Sequence, residues 1–160
     1  GTKSDDLFEE SFKFVLPGYN VRPLEMSGAI GIEQLKKLPS FIQNRQENAK
    51  LFVELFKDHP YIQIQKETEK SSWFGFSLVL KENAPYTRKE IVAKLQENDI
   101  ECRPIVTGNF LKNKEVLEYF DYEVAGSLEN AEYIDQYGLF VGNHQVDIKD
   151  KISDLHKLLR

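Results

Sequence analysis

The clearest binding chemistry in this chain comes from an arginine followed by a loop that contains glycine and asparagine. Arg103 begins the segment RPIVTGNF, residues 103–110. A guanidinium at the end of a strand can bind a phosphate or a carboxylate through two parallel N–H groups. An exposed surface arginine at a strand end has the same pattern, so the residue types alone leave both interpretations open.

A second group of polar residues follows an apolar run near the C terminus. Residues 138–142 read GLFVG and precede Asn143, His144 and Gln145. Polar side chains just past a buried strand are well placed to line a cleft, and histidine can transfer protons near neutral pH. His144 is therefore a candidate substrate-binding residue, although an ordinary loop start looks the same.

No complete catalytic or metal-binding motif accompanies these residues. The sequence lacks G-x-S-x-G, a P-loop, H-E-x-x-H and C-x-x-C, the short signatures of several hydrolase, nucleotide and metal sites. His59, His144 and His156 lie in different sequence contexts. We therefore predict no catalytic residue and no metal site within these 160 residues.

The stretch from Pro17 to Leu38 combines a turn with an unusually small-residue helix. Pro17 and Gly18 mark the turn, and Asn20 is a residue type that such turns favour. Gly28 and Gly31 lie in the helix, and each helical glycine is unfavourable by roughly 1 kcal/mol relative to alanine. Close packing against this helix would offset that loss. The helix could belong to the core, or it could contact a ligand or another subunit.

The same stretch resembles a known enzyme family. GYNVR (residues 18–22), MSGAIG (26–31) and Gln34-Leu35 are similar to the G-Y-N-x-R … A-A-I-G-x-x-Q-L segment of the DegT/StrS family. That family comprises sugar aminotransferases that depend on pyridoxal phosphate (PLP) and related dehydratases. The resemblance implies that Asn20 reaches across a homodimer to the cofactor phosphate of the partner subunit. Tyr19 and Arg22, which lie close to Asn20 in the sequence, are weaker candidates for a functional role.

The R-P-x-x-x-G-N-F form of residues 103–110 favours one branch of that family. It is similar to the segment found in nucleotide-diphospho-4-keto-6-deoxyhexose 3-dehydratases, which use pyridoxamine phosphate. The resemblance implies that Arg103, Asn109 and Phe110 line a sugar-nucleotide pocket. Leu139-Phe140, where aminotransferases commonly have Leu-Pro, favours the same branch.

The resemblance also implies that the chain is the C-terminal part of a longer enzyme. Residues 1–16 would connect to a cofactor domain, and residues 17–160 would form the small domain of a fold-type I PLP enzyme. The full-length enzyme would remove the C3 hydroxyl of a nucleotide-linked 4-keto sugar in deoxysugar and lipopolysaccharide synthesis, and the fragment alone would be inactive. Transamination of the sugar is an alternative, as is a stand-alone interaction domain without catalysis.

Hydrophobic periodicity predicts the elements that position these residues. We predict an α+β fold in which two leading helices precede a short, mostly antiparallel sheet with helices packed on it. Pro39 should separate the leading helices, because the residue before a proline is pushed out of the α region. Thr87 and Glu90 form a capping-box pattern. The predicted helices are 23–37, 40–57, 87–98, 127–137 and 147–159, and the predicted strands are 61–65, 73–80, 99–105 and 138–142.

Composition excludes several other classes of protein. The formal net charge is −5, whereas binding to nucleic-acid phosphates needs clustered lysine and arginine. No apolar run approaches the roughly 20 residues that span a bilayer. The single cysteine, Cys102, rules out an internal disulfide framework. We expect a cytoplasmic protein with no membrane or nucleic-acid partner.

Overall fold

The computed structural model describes residue 21 and residues 23–106 and 108–160. It divides into two units, residues 1–36 and residues 37–160. In the first unit, the described residues are exposed to solvent and nearly all of them belong to the opening turns of helix α1. The predicted connector, residues 1–16, lies outside the described residues, so this domain boundary stays a prediction.

A single helix, α1 (Glu25–Phe56), replaces the two leading helices predicted from the sequence. The predicted break at Pro39 was wrong. A proline inside a helix removes one backbone hydrogen bond and crowds the carbonyl four residues earlier. The residues around Pro39 are exposed, so water can bind the released carbonyl, and Ser40 Oγ donates to the Lys37 carbonyl at 2.8 Å. The helix therefore continues through the proline.

Among the residues that the structure describes, the small residues of the first unit do not form a core. Leu24 and Ile30 are exposed, and a Cβ built on Gly28 or Gly31 would meet no atom within 4 Å. The interpretation of this segment as a core helix is therefore wrong for the described chain. A helix that contacts a ligand or a subunit remains a prediction.

Four strands form one antiparallel sheet in the order β1-β2-β4-β3. The strands are β1 (Ile62–Ile64), β2 (Gly75–Leu80), β3 (Cys102–Arg103) and β4 (Gly138–Gly142). The strand predicted at residues 73–80 corresponds to β2, which lies between β1 and β4. The predicted antiparallel α+β architecture is confirmed.

Three strands, β1, β2 and β3, are shorter than predicted, and residues with a left-handed backbone lie near the ends of β2 and β3. Trp73 has φ of 53°, so β2 begins at Gly75 and not at residue 73. Asp99 and Val106 have φ of 56° and 53°, and they confine β3 to two residues. Such angles are uncommon for residues other than glycine and end regular pairing.

One face of the sheet carries the core. Partners directly opposite in antiparallel strands share a face, and on this face the pairs Leu78–Leu139 and Phe76–Val141 are buried. The Phe52 ring of α1 stacks on Phe76 with a centroid distance of 4.1 Å. The same cluster takes in buried leucines and isoleucines of α2 (Arg88–Gln96) and α5 (Lys149–Leu158).

The remaining helices differ in how they begin. The predicted capping box at Thr87 and Glu90 is present at the start of α2. The short 3₁₀ helix Phe110–Lys112 and α3 (Lys114–Leu117) follow β3, and α4 (Glu129–Tyr137) leads directly into β4. Ser127 was predicted as the cap of α4. The N-cap is Leu128, although Ser127 Oγ accepts a hydrogen bond from the Glu129 backbone N–H.

None of the helices in the described part of the chain is long and apolar enough to cross a membrane.

Candidate functional site

Arg103 lies on the second face of the sheet, opposite Phe140 of β4. Its guanidinium carbon is 4.9 Å from the centre of the Phe140 ring and 5.6 Å from that of Phe74. Both distances are within the roughly 6 Å over which a cation is attracted to an aromatic face. Arg103 is exposed, so its N–H groups can reach a ligand.

The two phenylalanine rings form a continuous surface beneath this arginine. Phe74 and Phe140 stack at 5.8 Å with an interplanar angle of 26°. Phe74 precedes β2 and is 66% exposed, which is unusual for a large aromatic side chain beside a buried strand. We call Arg45, Phe74, Arg103 and Phe140 the cation–aromatic cluster.

Arg45 of α1 also lies close to the Phe74 ring. Its guanidinium carbon is 5.9 Å from the Phe74 ring centre. Its Nη1 donates to the carbonyls of Phe74 and Asn143 at 3.1 and 3.3 Å. Arg45 therefore joins the helix to the segments before β2 and after β4, which positions Phe74.

A cavity of about 250 Å³ opens beside the cluster and is lined by Phe74, Glu101, Cys102, Arg103, Phe140, Gly142 and Asn143. Two facing glycines, Gly75 and Gly142, lie below it in the β2–β4 pair. A Cβ on Gly142 would meet open space, whereas a Cβ on Gly75 would overlap the Phe140 ring. The glycines thus let the Phe140 ring lie flat on the sheet and keep the cavity open.

The cavity is suited to binding and lacks an activated nucleophile. Burial raises the pKa of the Cys102 thiol, and the neighbouring Glu101 carboxylate raises it further. A thiol with a raised pKa stays protonated and unreactive near neutral pH. The Arg103 guanidinium is the group on this lining that can bind a phosphate or a carboxylate.

Asn109 and Phe110 lie in the loop after β3, which Asp135 of α4 holds in place. Asn109 Oδ1 accepts from the Leu111 N–H at 3.1 Å, and the Asn109 N–H donates to Asp135 Oδ1 at 3.0 Å. The Lys112 ammonium and the Asn109 N–H lower the pKa of Asp135. Asn109 is buried and Phe110 is half exposed, and neither lines the cavity beside Arg103.

His144 is exposed and lines a larger, adjoining cavity of about 780 Å³. This cavity lies between the turn after α2 and helix α5, and it shares Glu101, Gly142 and Asn143 with the cavity beside Arg103. The structure thus brings Arg103 and His144 to neighbouring openings. Asn20, Tyr19 and Arg22 lie outside the described residues.

A buried pair of asparagines fixes the segment that carries His144. Asn48 Nδ2 donates to Asn143 Oδ1 at 3.1 Å and to the Val146 carbonyl at 2.8 Å. Asn143 Nδ2 donates to the carbonyls of Arg45 and Trp73 at 3.0 and 2.9 Å. Asn143 thus serves to hold this loop, with both ends of its amide occupied.

Sequence reasoning missed several of the residues that build this site. Phe74 was assigned to a buried strand, Phe140 was used only as a family marker, and Arg45 and Asn48 were treated as positions on a helix. Strand alternation would place Phe74 on the same face as buried Phe76, so the sequence carried no signal for its exposure, and the left-handed backbone of Trp73 interrupts that alternation. Strand pairing and contacts between distant segments assemble the rest.

Comparisons with known proteins identify a family and several similar proteins. Residues 1–151 match the DegT/DnrJ/EryC1/StrS aminotransferase family. Over 160 residues the chain is 70% identical to a GDP-4-keto-6-deoxy-D-mannose 3-dehydratase from Yersinia pseudotuberculosis. The match covers all of this chain and 41% of the relative, so the chain spans well under half the relative's length.

Two solved structures have nearly the same fold. The Escherichia coli GDP-4-keto-6-deoxy-D-mannose-3-dehydratase with bound hydrated PLP is 64% identical, with a TM-score of 0.95 over 100% of this chain and 41% of its own. A variant of GDP-4-keto-6-deoxymannose-3-dehydratase (ColD) with bound GDP-perosamine gives the same identity and TM-score, over 42% of its own chain.

Proposed function

Since this chain belongs to the DegT/DnrJ/EryC1/StrS aminotransferase family, we propose that it is the C-terminal part of a 3-dehydratase acting on a nucleotide-linked 4-keto-6-deoxy sugar. The full-length enzyme would serve deoxysugar and lipopolysaccharide biosynthesis. The observation that carries this proposal is the 70% identity to a GDP-4-keto-6-deoxy-D-mannose 3-dehydratase over the whole chain. A GDP-linked sugar is accordingly the proposed substrate.

Pyridoxamine or pyridoxal phosphate is the proposed cofactor, and residues preceding this chain in the full-length protein would hold most of it. Its ring would act as the electron sink for loss of the C3 hydroxyl. We assign no described residue to the cofactor. Asn20 stays the proposed contact to the cofactor phosphate across a homodimer, and a cytoplasmic location stays a prediction.

This chain would supply residues that line the substrate-binding site. The guanidinium of Arg103, exposed on the cation–aromatic cluster, would bind an anionic group of the substrate. His144, in the adjoining cavity, is proposed to contact the sugar nucleotide. Phe110 would do so through its exposed ring. For Asn109 we propose contact through Nδ2, because Oδ1 caps the following 3₁₀ helix.

Product analysis of the full-length protein tests this proposal. The protein would be incubated with pyridoxamine phosphate, an amino donor and GDP-4-keto-6-deoxymannose, and the sugar product identified by mass spectrometry and NMR. We expect a keto sugar that lacks the C3 oxygen. A product with a new amine at C4 would instead support the alternative, sugar transamination. The residue of the full-length protein at the cofactor-lysine position is a second test of the two activities, since lysine favours transamination and histidine favours dehydration.

Failure to convert the sugar at all would support the other alternative, an interaction domain without catalysis. The 160-residue chain serves as the negative control, because we expect it to be inactive by itself.

A further inference from the structure

The side chain of Arg103 is held although it stands on an exposed edge strand. A free arginine side chain loses rotamer entropy when it is fixed in one geometry. Two rings flank this guanidinium, Phe140 at 4.9 Å and Phe74 at 5.6 Å. A guanidinium held over ring faces makes no hydrogen bonds to the rings, so its N–H groups stay available to a ligand.

The two arginines beside Phe74, Arg45 and Arg103, differ in their hydrogen bonds. Arg45 directs Nη1 at the backbone carbonyls of residues 73, 74 and 143. Arg103 has no hydrogen-bond or ion-pair partner among the residues that the structure describes. Of the two, Arg103 is therefore the one whose donors are available for a ligand.

The Phe140 ring is supported from below. It lies on Gly75, where any added Cβ would overlap it, and its face toward solvent carries Arg103 and Phe74. Gly142, beside it on β4, leaves open space for a ligand. The Phe140 ring therefore holds the Arg103 guanidinium above the sheet, and the space next to the guanidinium, above Gly142, is open to a ligand.

The charge on the cavity lining favours a specific contact over general attraction of anions. Glu101 and Arg103 both line the cavity, so their formal charges cancel. A diffuse positive field is therefore absent from this lining, and an anion would be held by the bidentate geometry of one guanidinium. That geometry depends on how the guanidinium is oriented.

We propose that Phe74 and Phe140 are positioning residues that orient the Arg103 guanidinium to bind an oxyanion, the phosphate or carboxylate of a ligand, in the cavity above Gly142. This inference rests on the proposed function for the substrate contact at Arg103, and it adds the two rings that make the contact effective. Phe74 is the better residue to test, because it is exposed and lies outside the buried core.

Binding measurements on the full-length holoenzyme test the proposal with three variants. Phe74→Leu removes the ring, Phe74→Tyr keeps it, and Phe120→Leu removes a ring of similar exposure, 63%, that is not part of the cluster. GDP is the phosphate probe and L-glutamate the carboxylate probe, each titrated by calorimetry. We expect Phe74→Leu to raise the Kd of one probe about threefold to fivefold, as for a partly exposed cation–aromatic contact.

Phe74→Tyr and Phe120→Leu should leave that Kd unchanged, and the probe that responds identifies the group bound. A spectroscopic readout follows the orientation itself. In the full-length holoenzyme, the Arg103 Nε–H resonance should change its chemical shift in Phe74→Leu, because the Phe74 ring current is lost and only that of Phe140 remains. The resonance should stay in place in Phe74→Tyr.

The proposal is overturned if Phe74→Leu and wild type have equal Kd values for both probes. It is also overturned if Phe120→Leu raises the Kd as much as Phe74→Leu does, or if the wild-type protein binds neither probe. An unchanged Arg103 resonance in Phe74→Leu also overturns it. The proposed function fails by a different result: a protein that binds the probes but makes no 3-deoxy sugar.

Discussion

Two glycines that face each other across β2 and β4 should respond in opposite ways to the same substitution. Gly75 and Gly142 are register partners. A Cβ on Gly75 would lie 2.6 Å from Phe140 Cε1 and 2.7 Å from the Val141 carbonyl oxygen. Both contacts are closer than real Cβ atoms approach, and the second involves backbone that cannot rotate away. A Cβ on Gly142 would meet nothing within 4 Å.

The expected magnitudes follow from these contacts. Overpacking typically destabilises by about 1–3 kcal/mol. Replacing glycine with alanine reduces the entropy of the unfolded chain and stabilises by about 0.4–1 kcal/mol where the native backbone accepts it. Gly75→Ala should therefore lower the free energy of unfolding by about 1.5 kcal/mol, and Gly142→Ala should raise it by about 0.5 kcal/mol. The two variants should differ by about 2 kcal/mol.

Urea unfolding of the 160-residue chain, followed by circular dichroism, measures this difference. Thermal unfolding should separate the variants by about 4–8 °C, since 1 kcal/mol corresponds to about 2–4 °C in a domain of this size. Free energies of unfolding that agree within about 0.5 kcal/mol would refute the reasoning, because surface substitutions without a specific mechanism vary by that much. A stabilised Gly75→Ala variant would refute it as well.

Three further changes test other parts of the structure. Asn143→Ala should lower the free energy of unfolding in urea by about 2–4 kcal/mol because it leaves buried hydrogen-bonding groups unpaired; exposed Asn98→Ala should change it little. Gly108→Ala places a Cβ against Asp135 at φ of 68°, so its Tm should fall further than that of Gly126→Ala, where φ is 75° and the space is open. Burial, then the charges of neighbouring basic groups, lower the pKa of His59. The unfolded chain therefore binds more protons, and stability should decrease as the pH falls below about 6.5; an equal slope in His59→Gln would contradict this.

Local sequence rules predicted the elements whose cause is local. The Thr87–Glu90 capping box, the strand of residues 138–142 and the helix of residues 88–96 depend on neighbours within a few positions, and the structure contains them. Pro39 shows where such a rule fails. The helix is exposed around Pro39, so water can bind the released carbonyl, and a rule about neighbouring residues does not include that exposure.

The candidate site depends on relations that no local rule contains. Asn48 and Asn143 are 95 residues apart in the chain, and their pairing follows from how α1 packs beside the end of β4. Arg103 is the register partner of Phe140, and Phe74, just before β2, stacks on the Phe140 ring, so strands that are distant in sequence bring Phe74 and Arg103 together. Arg103 was nevertheless singled out from its residue type and the loop that follows it. Phe74 and Phe140, the residues that orient Arg103, could not be identified from the sequence.

The rate of sugar conversion by the Arg103→Gln variant of the full-length protein tests the central claim most directly. Wild type should convert GDP-4-keto-6-deoxymannose to a product that lacks the C3 oxygen. The variant, without a charged bidentate donor, should lose about tenfold to a hundredfold in kcat/KM, which corresponds to a charge-assisted hydrogen bond of about 1.5–3 kcal/mol. A 4-amino product from wild type, or an unchanged kcat/KM in Arg103→Gln, would contradict the account.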